Sequence, residues 1–407
     1  MSTRRGRLRL EKRAEPTIGV LLAVPVVSVA LALAFGALFL ALIGLAPLAV
    51  YREMLRVSYT TGYGIADSLV SATPLILTGL AAAIAFRFRL YNIGGEGQLY
   101  VGAIAASGVA LALGDGVPTA VAIALVVVAG ALGGAVWIAV PALAKAWLGT
   151  SEIITSLLLN YVALFLMQYL IFGARTFWRD PGSATFPQGT RLPDVARLPT
   201  FGTTRVNLGL VVAVLLAVGL YLLVTRTRVG YRWRVFGDAP AAARYAGISS
   251  RHAIIAILLV SGALAGVAGA TEVAGRAGRL DPTGLALNIG YNGIIVAALA
   301  RYNPLAVIPV GLLLGGILNA GPALQTLPGA RVPVAISIIL TGAILLFALA
   351  GELFVRYRIR RRDPDDVVGT DPTAGPDGQP PRDDGADDTG DAAASEPVSP
   401  ARSEAPS

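Results

Sequence analysis

The sequence predicts an all-α integral membrane protein of about ten transmembrane helices with both termini in the cytoplasm. Three observations lead there. Hydrophobic residues make up 55% of the 407 residues and charged ones only 14%, where soluble domains carry about 25% charged residues. Mean hydropathy is +0.67. Apolar segments also recur at the length of about 20 residues that a hydrocarbon core of roughly 30 Å demands of a helix.

The N-terminal "MSTRRGRLRLEKR" precedes an apolar stretch longer than the roughly 7 to 15 residues of a cleaved signal peptide, so this stretch is expected to remain as an anchor. Ten spans are predicted near residues 18–46, 65–86, 96–113, 118–141, 153–173, 207–224, 253–275, 285–300, 304–320 and 333–352. With the N-terminus inside, inner segments carry 21 Lys and Arg residues and outer ones 10. Cytoplasmic loops are enriched in such residues, which sets the expected orientation.

Charge divides the chain further. Residues 363–407 hold 12 of the 25 acidic groups and only Arg382 and Arg402 among the basic ones. The expected organisation is a basic cytoplasmic N-terminus (1–17), a transmembrane domain (18–355) with a long inner loop at 225–252, and a basic, then acidic, disordered cytoplasmic tail (356–407). The arginine surplus lies beside apolar segments, where it fixes orientation, so the expected surroundings are membrane lipid and not nucleic acid. No cysteine is present and His252 is the single histidine. That leaves no disulfide, no thiolate or imidazole metal cluster and no cofactor site to expect.

Helices in lipid associate through small residues that let backbones approach. Gly130 with Gly134, Gly262 with Gly266, and Gly311 with Gly315 each place two glycines on one helix face.

Polar residues inside apolar segments mark the candidate site. In "YNIGGEGQLY" (91–100), Gly94, Gly95 and Gly97 disfavour regular helix beside Asn92, Glu96 and Gln98. Two readings stand. Either a helix starts within the membrane beside a cavity, with Asn92 capping it and Glu96 at its positive end, or the motif is an interfacial turn with Glu96 near Arg87 or Arg89. In "GTSEIITSLLLNYVA" (149–163), Ser151 is the expected cap and Glu152 favours the helix start, while Asn160 falls in mid-span and needs a partner. Asn288 and Asn292 raise the same question. A third cluster, "RVFGDAPAAARYAGISSRH" (234–252), reads as a short inner helix with Asp238 as cap, Pro240 in the first turn and Gly247 as the stop.

"NIGGEGQ", "GTSEIITSLLLNYVA" and "GDAPAAARYAGI", in this order, resemble the permease subunits of ATP-binding cassette (ABC) importers for nucleosides and simple sugars. The resemblance covers roughly residues 60–355. It implies that Asn92, Glu96, Gln98, Asn160, Tyr161 and Asn292 lie near a translocation path. It further implies that Gly237, Asp238, Pro240, Arg244, Tyr245 and Gly247 belong to a coupling helix. The implied partners are ATP-binding subunits that hold the ATP and Mg²⁺, a second permease (a paralogue or the same chain) and an extracytoplasmic solute-binding protein. Two positions depart from the family pattern, Ala239 before the coupling-helix proline and Ser151 before Glu152.

The chain contains no G-x-x-x-x-G-K-[ST] loop, since Lys12 is followed by Arg13 and Lys145 by Ala146. It is therefore expected to be a non-catalytic multi-pass subunit of the cell membrane, moving a neutral polar solute such as glucose or a nucleoside. The alternative is an ion-coupled secondary transporter, for which Glu96 and Glu272 are the acids expected within the core.

Overall fold

The computed structural model describes residues 8–12, 18–173, 177–183, 185, 187–285, 287–325, 333 and 335–361. Among these residues, nine helical segments are long and apolar enough to cross a membrane, and a shorter apolar helix covers Ala335–Ala348. They fall at the ten expected places.

The first helix, α1 (Ile18–Leu42), is followed by a helix that a scan at membrane-spanning length overlooks, α2 (Pro47–Tyr59). It is amphipathic. Val50, Met54 and Ser58 repeat every four residues and are buried, while Arg52 and Arg56 face outward. Proline in its first turn sets its start. Thr61 then caps α3 (Gly62–Arg87) by accepting from the Gly64 N–H.

Helix α3 is the centre of the bundle, with nearly all of residues 72–85 buried. Against it pack α10 (Ser250–Thr271), α12 (Ile289–Leu299) and α13 (Pro304–Gln325). On another side, α4 (Gly95–Leu113), α5 (Thr119–Leu143) and α10 form a tight trio. The glycines explain how tight. A Cβ on Gly134 would meet the Gly266 Cα at 2.7 Å, and one on Gly130 would meet the Gly266 carbonyl at 2.9 Å. A Cβ on Gly315 would lie 2.8 Å from the Ala72 nitrogen of α3. All three predicted glycine pairs thus stand at helix seams.

The periphery is more lipid-like. Helix α6 (Glu152–Gln168) buries one stripe, Glu152, Ser156, Asn160, Ala163 and Met167, and turns Ile154, Leu158, Tyr161 and Phe165 outward. Helix α7 (Leu208–Arg226), capped by Asn207, lies along α3 and α13. Helix α14 (Ala335–Arg356) pairs with α1, where Ser28 Oγ donates to the Phe347 carbonyl at 2.9 Å.

Two regions differ from expectation. The eighth predicted span is broken into α11 (Pro282–Leu285) and α12, with Asn288 at φ +56° between them. The 11 residues of α12 extend only about 16 Å at about 1.5 Å per residue, so the segment Pro282–Leu299 reaches crossing length only with α11 and the break at Asn288 included. The inner loop at 225–252 is mostly helical, comprising α8 (Arg228–Asp238) and α9 (Pro240–Tyr245).

Near the chain ends, β1 (Leu8–Lys12) and β2 (Tyr357–Arg361) form a two-stranded sheet. The basic residues 356–361 end α14 at Arg356 and form β2. Both segments alternate apolar with charged residues, "LRLEK" and "YRIRR", which is strand periodicity. The acidic tail at 362–407 lies outside the described residues, as do 1–7 and 13–17.

Because α5 and α10 meet through bare backbone, Gly266→Val should cost roughly 1–3 kcal/mol or more through overpacking. Its melting temperature in detergent should fall well below that of Gly219→Ala, whose added carbon meets nothing within 4 Å.

Candidate functional site

The segment between α3 and α4 is buried. Asn92, Glu96 and Gln98 are 2%, 3% and 1% exposed, so α4 starts inside the protein and the interfacial-turn reading fails. A helix start there leaves N–H groups without water, and each must find an acceptor.

Helix α6 supplies most of them. Its buried stripe reads along the chain it holds: Glu152 Oε1 accepts from the Tyr91 N–H (3.3 Å), Ser156 Oγ from the Ile93 N–H (3.3 Å), and Asn160 Oδ1 from the Gly97 N–H (2.8 Å). Asn160 Nδ2 donates to the Ile93 carbonyl (3.0 Å) and the Tyr291 hydroxyl (2.9 Å). The mid-span amide is thus fully employed at a helix interface. Tyr161, one position on, is 55% exposed and points away from it.

Asn92 is not the cap of α4; that position is Gly94, and Asn92 Oδ1 accepts from the Gly94 N–H at 2.9 Å. Asn92 and Gln98 exchange amide hydrogen bonds of 2.9 and 2.8 Å, and Asn92 Nδ2 also donates to Ser261 Oγ at 2.8 Å. Ser261 Oγ in turn donates to the Ala81 carbonyl at 2.6 Å, joining α3, α4 and α10.

Glu96 lies between two helix starts. Its Oε1 accepts from the Tyr100 hydroxyl (2.5 Å), and its Oε2 from the Gly290 N–H at the start of α12 (2.5 Å). One carboxylate therefore faces the positive ends of both α4 and α12. The close approach needs Gly290, where a Cβ would sit 2.6 Å from the Glu96 Cα.

The open space is elsewhere. A cavity of about 310 Å³ is walled by Ser71 and Pro74 of α3, Asn292 of α12, Asn319 of α13 and Ser337 of α14. It shares Ser71, Asn319 and Arg276 with a second cavity of about 350 Å³, closed by Arg197, Thr200, Thr204 and Arg205 from the loop before α7. That loop folds onto the bundle, burying Leu192, Ala196 and Leu198. Of the six residues predicted near a path, only Asn292 lines either cavity; Ser71, Asn319 and Arg276 were not singled out. Hydroxyl and amide groups dominate the shared wall. Arg276 is paired with buried Glu272 at 3.3 Å, and Arg205 with Asp67 at 3.7 Å. Sequence reading assigned two acids to the core, and Glu152 is a third, 5% exposed and bonded to Lys145 at 2.9 Å.

At the other candidate segment, Asp238 is the last residue of α8 and does not cap α9; the cap position is Ala239, which has no side-chain acceptor. Likewise Ser151 occupies the cap position of α6 without a capping hydrogen bond. Pro240 opens α9 and Gly247, at φ +73°, follows its end. Ala243 is buried, whereas Arg244 and Tyr245 are exposed, Tyr245 at 95%. Helix α8 anchors this protrusion by placing Trp233 against Phe88, ring centroids 5.9 Å apart, three residues before the Tyr91–Gly97 segment.

A bundle of membrane-length helices with buried helix starts, internal cavities and an exposed helical protrusion fits a transport permease, and similarity to known proteins gives the class. The chain belongs to the family described as branched-chain amino acid transport system / permease component, whose model matches residues 64–349. It is 34% identical to the glucose ABC transporter permease protein TsgB13 of Haloferax volcanii, over 86% of this chain and 93% of that one. It is 32% identical to the guanosine ABC transporter permease protein NupP of Bacillus subtilis, over 84% and 97% of the two chains. The nucleoside ABC transporter permease protein NupB of Lactococcus lactis subsp. cremoris is 30% identical over 80% and 89%. No solved structure matches the chain. It is accordingly a multi-pass cell-membrane protein and a permease of the ABC importer class, a transport component of a system that includes an ATPase.

Asn160→Ala should leave the Gly97 N–H without an acceptor in a dry interior and cost about 1–3 kcal/mol. Thermal melting should separate it clearly from Tyr161→Ala, an exposed position expected to change stability by about 0.5 kcal/mol or less.

Proposed function

We propose that this chain is the non-catalytic permease subunit of an importer for a neutral polar solute, a simple sugar or a nucleoside, driven by separate subunits that bind ATP and Mg²⁺. The substrate class is drawn from the relatives, one named for glucose and others for guanosine and nucleosides. The cavity walls agree with it. Ser71, Asn292 and Asn319 present hydroxyl and amide groups to the cavity, suited to hydrogen-bonding a polar solute, and the adjoining Arg276 already has a carboxylate partner.

The observation that carries the coupling proposal is the path from α9 to the α4 start. Tyr245 and Arg244 protrude, α9 stands on α8, and α8 packs Trp233 and Gly237 on Phe88. Phe88 leads directly into the segment clasped by α6 and Glu96. In this reading the ATPase subunits grip α9, and their closure on ATP tilts α8 against the foot of α3 and α4. The balance between outward-open and inward-open cavities then shifts, because nucleotide favours one of them. Solute arrives from an extracytoplasmic binding protein, and a second permease, identical or related, completes the channel. Both termini, α8 and α9 are cytoplasmic in this arrangement. Glu96, Glu152 and Glu272 each have a structural partner, which favours this reading over an ion-coupled carrier.

Three measurements test it. Tyr245→Asp or Arg244→Asp should abolish uptake by the assembled transporter while leaving folding and basal ATP hydrolysis by the partner intact; normal uptake removes α9 from the mechanism. Asn292→Ala and Asn319→Ala should each raise the KM for the transported solute by roughly tenfold, the value of one lost hydrogen bond of about 1.4 kcal/mol. Competition by unlabelled glucose against guanosine in the same assay separates the two solute classes.

A further inference from the structure

At the end of the bundle that carries α8 and α9, a concave basin of about 690 Å³ is lined by four arginines, Arg87, Arg89, Arg234 and Arg301, and a single carboxylate, Asp238. The arginines come from three elements. Arg87 ends α3 and Arg89 follows it at φ +60°, Arg301 follows α12 at φ +51°, and Arg234 lies within α8. None of the four forms an ion pair among the described residues. The Nε of Arg234 is buried and has no hydrogen-bond partner. Arg87 reaches one acceptor, the Tyr302 carbonyl at 3.5 Å.

Four guanidinium groups facing one basin repel one another, and Asp238 offsets only one of them. The ends of α3 and α12 bring carbonyls that ease this in part. Unused donors remain on α8, at the end of α3 and in the turns after α3 and α12, around shared space. Guanidinium forks bind phosphate oxygens bidentately, and a phosphate has oxygens enough to be shared among several forks at once. We propose that this basin is a binding site for a phosphate-bearing anion, supplied as free phosphate or as the headgroup of an anionic lipid. A phosphate held there bridges α8 to the ends of α3 and α12, so its occupancy sets how freely α9 moves. Only this consequence rests on the proposed coupling role; the site rests on its own geometry.

The test uses the full chain in phosphatidylcholine nanodiscs, with melting temperature and calorimetric titration of inorganic phosphate at constant ionic strength. The wild-type chain should bind phosphate and melt at higher temperature with it. The Arg89→Gln, Arg301→Gln double variant should bind roughly tenfold more weakly or less well still, whereas Arg226→Gln with Arg228→Gln, outside the basin, should bind as the wild type does. Asp238→Asn should tighten binding, which keeps the test informative if the double variant folds poorly. If phosphate alone has no effect but nanodiscs containing phosphatidylglycerol stabilise the wild type and not the double variant, the source is a lipid headgroup. The proposal is overturned if neither probe has an effect, or if both act equally on the double variant. It is also overturned if the arginines are protected only by the bound ATPase subunit, without competition by phosphate.

Discussion

A backbone that interrupts its helix inside a bilayer must satisfy every N–H and C=O it frees, and this requirement organises the structure around the start of α4. The acceptors for this buried segment come from side chains: Glu152, Ser156 and Asn160 of α6 take the Tyr91, Ile93 and Gly97 N–H groups, and Asn92 takes that of Gly94. Glu96 takes the heaviest part. Its two oxygens serve Tyr100 and Gly290, and its charge faces two helix starts. A buried carboxyl group without partners would be expensive; between the starts of α4 and α12 it has the Tyr100 hydroxyl and the Gly290 N–H as hydrogen-bond partners. The broken eighth span follows from the same contact, because α12 can begin in the interior only if something accepts from its first N–H groups.

The clasp depends on how closely the surrounding helices approach. Glycine seams let α4, α5 and α10 meet backbone to backbone, and Gly290 lets α12 lie against Glu96. Close contacts on this side contrast with the cavity between α3, α12, α13 and α14, whose largely apolar wall is interrupted by Ser71, Asn292 and Asn319. The bundle therefore has a tightly joined half and a half with internal space, and α3 belongs to both. Such an arrangement suits a permease, because α3 links close-packed helices to helices that enclose space. Phe88, pressed by Trp233 of α8, stands at that junction.

The motif "NIGGEGQ" and the apolar run after it identify a broken helix start, but they do not distinguish a residue that faces solute from one that supports the fold. Glu96, Asn92 and Asn160 hold backbone N–H groups and Gln98 holds Asn92, while Ser71, Asn319 and Arg276 line the space. Ser71 and Asn319 lie in plain apolar runs with no neighbouring motif, so no local pattern sets them apart. Their position beside Asn292 exists only once α3, α12 and α13 are assembled. The same limit applies to Asp238. "GDAP" has the composition of a helix cap, yet α8 extends through Asp238 because Trp233 and Phe236 pack inward and stabilise the longer helix.

By itself the sequence determined the solvent, the places of the apolar segments and the glycine faces through which they pack, but not the break in the eighth segment or the amphipathic α2. Hydrophobic length and small-residue spacing are local properties, readable along one chain. Tertiary structure alone decided which polar groups meet each other and which meet open space. In lipid, a polar side chain is worth what its partner supplies, and for Asn160, Glu96 and Asn292 that partner or cavity wall comes from a different helix, between 63 and 194 residues away for the first two.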